Sequence, residues 1–347
     1  MITETKEQRV YYFDFLRVAA ALAVMVLHVS AVDWYDTDIF SFEWSVLNFY
    51  DAVVRWAVSV FTMISGALFL NKDIPLKKIY SKYIFRIFTA FVSWSAVYVC
   101  ASYALNGSTL RAVDIFLKFL TGFYHMWFLF MIIGLYAIVP FVRKIAESKS
   151  LTKYFLVLAF VFVFLLPESV QIISMFSEKY GKFAGDWVNN FDMKFVAGFT
   201  GYFLLGYYLS SSEFSIKTER AVYLAGLLGF TATVMMSLYA SRFKGEPFDF
   251  YYDHYTVNVL CEAAAVFVFF RKHFNFPSRI ILKLSQYSFG AYLVHAGVII
   301  ALSKLGLHSL TFNPVISIPV ISLLVAVISF AVSAVLNHIP VINKYIV

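Results

Sequence analysis

The chain of 347 residues is 61% hydrophobic and 20% aromatic, with only 14% charged residues and a formal net charge of +7. Soluble domains carry about a quarter charged residues, so too few polar side chains are present to cover a water-soluble globule of this size. Nor does the positive charge point to nucleic acid, because the basic residues sit in short clusters between apolar runs, as cytoplasmic loops of membrane proteins do.

Apolar runs recur from Val18 to Ile339 with no soluble-sized gap, which reads as one domain over residues 1–347. The first run, Val18 to Ala31, follows Lys6 and Arg9 as a signal sequence would. Arg17 and His28 break its apolar core and no small-residue cleavage site follows, so it is expected to be a retained span. A crossing helix needs roughly 20 apolar residues. Ten candidates follow in chain order: 11–31, 46–70, 79–104, 124–142, 152–168, 194–211, 220–240, 254–271, 285–305 and 313–338. Irregular backbone cannot face lipid, so the expected fold is all-α, a polytopic membrane helix bundle.

The connecting segments alternate in charge. Seventeen Lys and Arg fall in the N-terminus, 71–82, 143–153, 212–220, 271–284 and the C-terminus, against seven in the intervening loops with Lys194 at a span edge counted among them. The positive-inside rule assigns the first set, and with it both termini, to the cytoplasm. The first outer loop is acidic instead, with Asp33, Asp36, Asp38 and Glu43. The two cysteines, Cys100 and Cys261, lie in apolar stretches without CxxC spacing, which argues against a zinc or redox site.

Asp14, Arg17, Asp51, Arg55, Arg86, Glu262 and Lys304 fall within the spans, where ionisable groups are expensive and mark functional candidates. Each also has a structural reading. Lys304 is near a helix end and can snorkel to water. Asp51 and Arg55, spaced i,i+4, can neutralise one another. Glu262 fits a structural hydrogen bond as well as chemistry. Asp14, Arg17 and Arg86 share the cytoplasmic half with Lys82, a basic pocket suited to an anionic ligand or to lipid headgroups. His28 lies roughly 16 Å further along the helix from Arg17, in the outer half. It can transfer protons near neutral pH or serve as a helix–helix hydrogen-bond donor. His125 and Trp127 near the outer face fit an interfacial anchor.

The ordered motifs resemble those of the acyltransferase-3 family, integral-membrane enzymes that acylate cell-surface carbohydrates. Arg17 and His28, with ten residues between them in FDFLRVAAALAVMVLHVS, are similar to its Arg-x10-His signature. FTMISGALFL (61–70), YIFRIF (83–88), HMWFLFMIIGLYAIVP (125–140), YFLLGYYL (202–209) and SQYSFGAYLVH (285–295) resemble its later segments in the same order. One departure is the single arginine, Arg86, where many relatives carry a pair. A second departure is that the hydrolase-like or racemase domain appended in some relatives is not found here, so a single domain without an appended soluble domain is expected. The resemblance implies a multi-pass protein of the bacterial cytoplasmic membrane. It also implies an acyl-CoA donor, usually acetyl-CoA, no metal, and a glycan or related hydroxyl acceptor.

The residue roles that go with it are expectations. His28 acts as general base, or carries the acyl group itself, with Arg17 and Asp14 beside it in the catalytic set. Arg86, Lys82, Ser65, Gly66, Tyr292 and His295 contact the donor, and Ser65, Tyr292 and His295 are candidate oxyanion donors. His125, Trp127 and Glu262 meet the acceptor. The competing classes are a transporter or flippase of a glycan or lipid-linked precursor, and a sensor or scaffold. Repeated halves, which transporters often show, are not evident in the sequence.

Overall fold

The computed structural model describes residues 9–106 and 111–347, leaving Lys6 outside the described residues. Among them every regular element is helical and no strand occurs, as expected for a backbone that must satisfy its hydrogen bonds within lipid.

Helix α1 (Tyr12–Ser30) leads into α2 (Phe42–Ala52), which is capped by Ser41 on the Trp44 amide, and α3 (Trp56–Leu70). The short α4 (Leu76–Lys78) continues through a π-helical turn into α5 (Phe85–Asn106). Next come α6 (Ala112–Thr121) and α7 (Trp127–Ala146). Helices α8 (Lys149–Ala159) and α9 (Leu166–Phe176) are joined by a second π-helical turn, followed by α10 (Glu178–Asn189). The last six are α11 (Met193–Ser211), α12 (Ile216–Lys244), α13 (Val257–His273), α14 (Arg279–Lys304), α15 (Pro314–Asn337) and α16 (Pro340–Tyr345).

Helices occupy all ten expected spans, and seven are long and apolar enough to cross a membrane. The exceptions are α11, α13 and α14. Helix α13 has only 17 residues, and α13 and α14 bury Asn258, Glu262, Ser285, Ser288 and His295 against their neighbours, a polar content that lowers their apolar character. Two elements were expected as loop. Helix α6 buries none of its residues and exposes Val113, Phe116, Leu117 and Leu120. Helix α10 exposes Tyr180, Phe183 and Trp187. Both are too short to span and have the amphipathic character of interfacial helices.

The turns fall into two sets at opposite ends of the bundle. At one end Tyr11 donates its amide to Asn275 at 2.9 Å, Arg143 pairs with Asp73 at 2.8 Å, and Lys272 pairs with Glu219 at 2.9 Å. There, too, Thr89 donates to the Tyr345 carbonyl at 2.6 Å and Arg86 donates to the Val347 carbonyl. At the other end His308 meets Asp33 at 2.8 Å, Tyr35 meets Asp249 at 2.9 Å, and Tyr50 donates to the Val315 carbonyl at 2.9 Å. Arg9 and Val347 therefore share one end of the bundle.

The centre is the crossing of α3 on α11. A Cβ on Gly66 would stand 1.8 Å from the Phe203 carbonyl oxygen, and one on Gly206 would stand 2.0 Å from that of Met63. Backbone contact of this kind needs small residues on both helices. Helix α1 packs on α3 and α14, and this places its polar face inside the bundle.

Candidate active site

Eleven residues make close to three helical turns, so Arg17 and His28 project from the same face of α1. Three cavities are arranged along that face. The first, about 530 Å³, opens at the Arg9 end and is lined by Arg9, Asp14, Arg17, Asn71 and Lys72. The second, about 240 Å³, shares Arg17 and continues inward past Ser65, Arg86, Tyr136, Val24, Phe128 and Tyr292. The third, about 560 Å³, lies toward the opposite end and is lined by His28, Tyr124, Ile299, Ile300, Ser303 and Lys304.

Asp14 is the hub of the first cavity. It is 3% exposed and accepts from Arg9 at 3.1 Å and from the Ser285 hydroxyl at 2.7 Å, with Arg17 at 3.5 Å. A buried carboxylate with three partners holds the Arg17 side chain at the neck between the first two cavities. Charge-assisted contacts are the strong ones, and a guanidinium at such a neck suits a phosphate. Arg86 reaches the second cavity from α5, but one of its donors is already engaged by the Val347 carbonyl. Ser65 lines the same cavity, whereas Lys82 is exposed and does not. Gly66 is buried against the Phe203 backbone, so its part is helix packing.

Between the second and third cavities lies a cluster of three histidines from three separate stretches of chain. His28 and His295 stack with ring centroids 5.1 Å apart and planes at 29°. His125 stands 5.0 Å from His295, edge to face. Tyr124 meets His28 at 5.0 Å, and Tyr292 meets His125 at 5.3 Å. His125 and His295 are buried, and His28 lines the third cavity. The Nδ1 of His295 faces the Tyr292 carbonyl oxygen, so Nδ1 carries the proton and Nε2 keeps a lone pair. That Nε2 is buried without a hydrogen-bond partner. The Tyr292 hydroxyl donates to the His125 carbonyl.

The structure thus gathers His28, His125 and His295, which the sequence reading gave to three different tasks. It does not bring Glu262 to them. Glu262 is fully buried between α12 and α13, where it accepts from Thr233, which in turn accepts from Asn258 at 2.7 Å. Trp127 is 41% exposed and lies over His254, with centroids 5.6 Å apart. Asp51 and Arg55 do pair, at 2.5 Å, across the break between α2 and α3, with the guanidinium 4.0 Å above the Tyr252 ring.

Tyr124, Tyr136 and His254 were missed in the sequence. Tyr124 and Tyr136 stood inside quoted or adjoining motifs, but one aromatic among 20% aromatics carries no signal. His254 lies in the loop before α13, where burial pushes its imidazole down to about 4, with Asp253 opposing and Arg55 reinforcing the shift. No group of side chains among the described residues has the make-up of a metal site.

A family model described as an acyltransferase domain matches residues 10–338, essentially the whole chain. No curated protein and no solved structure matches it.

Proposed function

The chain belongs to the acyltransferase-3 family, and on that premise we propose that it moves an acetyl group from cytoplasmic acetyl-CoA to a hydroxyl of a glycan or related acceptor on the outer face. The observation that carries this reading is the placement of Arg17 and His28. They share one face of α1, with one cavity leading from Arg17 toward the histidines and a second opening at His28. The charge bias of the loops supports placing the Arg9 end in the cytoplasm of a bacterial cell.

In this account Arg17, held by Asp14, binds the donor's phosphates. The pantetheine arm lies in the second cavity, whose lining changes from Arg17, Ser65 and Tyr136 to Val24 and Phe128 as it approaches the cluster. The acceptor approaches through the third cavity. His28 takes the proton of the acceptor hydroxyl as its oxygen attacks the thioester carbonyl carbon, a step that typically contributes about 10²- to 10⁴-fold. The tetrahedral intermediate then expels the thiolate, which takes the proton back from His28, so an ester and free CoA leave.

The His295 Nε2 lone pair and ring face steady the imidazolium formed on His28. The oxyanion needs a donor. His295 Nδ1 and the Tyr292 hydroxyl are both committed to backbone carbonyls. Ser65 lies on the Arg17 side of the second cavity, away from His28. The Tyr124 hydroxyl, beside His28 in the third cavity, suits the role best. Acetyl-CoA consumption by purified protein, with and without the His28→Ala substitution, tests the assignment. Equal turnover in the two would remove His28 from the mechanism.

A further inference from the structure

Beside the third cavity, with Ile300 lining both, lies an apolar groove of about 320 Å³ between α5, α14 and α15, lined by Trp94, Tyr98, Val294, Val298, Ala301 and Val332. The groove follows α14 from Val294 to Ala301, roughly 10 Å along the helix axis. One turn further on are Ser303 and Lys304, and Lys304 is the one charged residue lining the third cavity. It has no acidic partner among the described residues. Asp33, at this end of the bundle, is already held by His308 and Ser309.

A second apolar groove offers a contrast. It is lined by Leu156, Phe160, Phe164, Leu205 and Ala264 and includes no histidine or cation. The groove on α14 differs in bordering, across Ile300, a cavity that holds both a cation, Lys304, and His28.

We propose that the acceptor is an amphiphile, a hydroxyl-bearing head joined to a hydrocarbon chain through an anionic linkage. The chain lies in the α14 groove, the anion meets Lys304, and the hydroxyl falls at His28. This rests on the acyl-transfer reading above and narrows it to a lipid-linked acceptor rather than a free polymer. The cation that snorkels to water becomes a recognition group, because a phosphate at the membrane surface gains about 1 kcal/mol from one basic side chain.

The test uses full-length protein in nanodiscs and a hexadecyl phosphoglycerol carrying a mid-chain diazirine, beside the uncharged hexadecyl glycerol with the same diazirine. The expected photolabel falls on residues 94–102 and 294–301, about fivefold more strongly with the phosphate probe. Lys304→Gln erases that preference, and Ala301→Trp, at an exposed position, blocks labelling in the groove. Equal labelling by both probes, or equal labelling of the groove at Phe160 and Phe164, overturns the proposal and leaves an ordinary lipid surface. His28→Ala keeps the labelling while losing acetyl-CoA consumption. Labelling and turnover therefore fail separately, the first against the lipid-linked acceptor and the second against acyl transfer itself.

Discussion

His28 and His295 stack face to face with centroids 5.1 Å apart, one at the edge of a cavity and the other fully buried. The buried ring is locked by its Nδ1 contact with the Tyr292 carbonyl, so it gives the His28 ring a fixed surface to stack on. His295→Phe keeps the stacked ring but removes Nε2. It is expected to lower kcat about 10- to 100-fold, within the range of general-base catalysis, with the donor KM unchanged. Steady-state kinetics check this. A raised KM at normal kcat would return His295 to donor binding.

Arg17 is held at the neck between two cavities by a carboxylate that is itself held by Arg9 and Ser285. Arg17→Lys retains the charge but not the paired donors. The donor KM is expected to rise about tenfold, consistent with losing one charge-assisted hydrogen bond. Asp14→Asn is expected to move KM in the same direction by freeing the guanidinium. An unchanged KM in Arg17→Lys removes the phosphate role.

Gly66 tests packing against binding. Its Cβ would overlap the Phe203 carbonyl oxygen at 1.8 Å. Gly66→Ala is therefore expected to destabilise the α3–α11 crossing by about 1–3 kcal/mol or more, as overpacking does. The surviving folded protein should bind donor normally. A melting curve in detergent with a donor titration separates the two. Normal stability with weakened donor binding favours a ligand role for Gly66.

His254 gives the Asp249–Tyr35 end of the bundle a pH response. Its folded-state pKa, about 4, lies below the ordinary histidine value of 6.5. The unfolded chain therefore binds a proton first as pH falls. His254 costs nothing above about 6.5, and stability declines between 6.5 and 4. Melting temperature should fall across that window in wild type and fall less in His254→Asn. An identical decline in both assigns the effect to other groups.

The all-helical, membrane-suited character of the chain and the Arg17–His28 spacing were legible because each follows from local chemistry: runs of apolar residues, and eleven residues making three helical turns. The cluster was not legible. His125 and His295 are separated from His28 by long stretches of chain, and only the packing of α1 on α14 and the seating of Tyr124–Met126 beside them show that the three meet. Arg86 read as a free phosphate ligand because sequence cannot show that the Val347 carbonyl returns to it. Glu262 read as a site residue because its partner, Thr233, belongs to a different helix. Helices α6 and α10 were hidden by their length. Ten- and twelve-residue amphipathic segments resemble polar loops when the search is for spans.

The central claim is that one helix links a cytoplasmic donor site at Arg17 to an outer-face reaction at His28. Sealed membrane vesicles of defined orientation, given impermeant radiolabelled acetyl-CoA on the outside, test it most directly. Inside-out vesicles should consume the donor and accumulate acetylated product in their lumen, and His28→Ala should abolish both. Consumption by right-side-out vesicles, or product on the same side as the donor, would contradict the account.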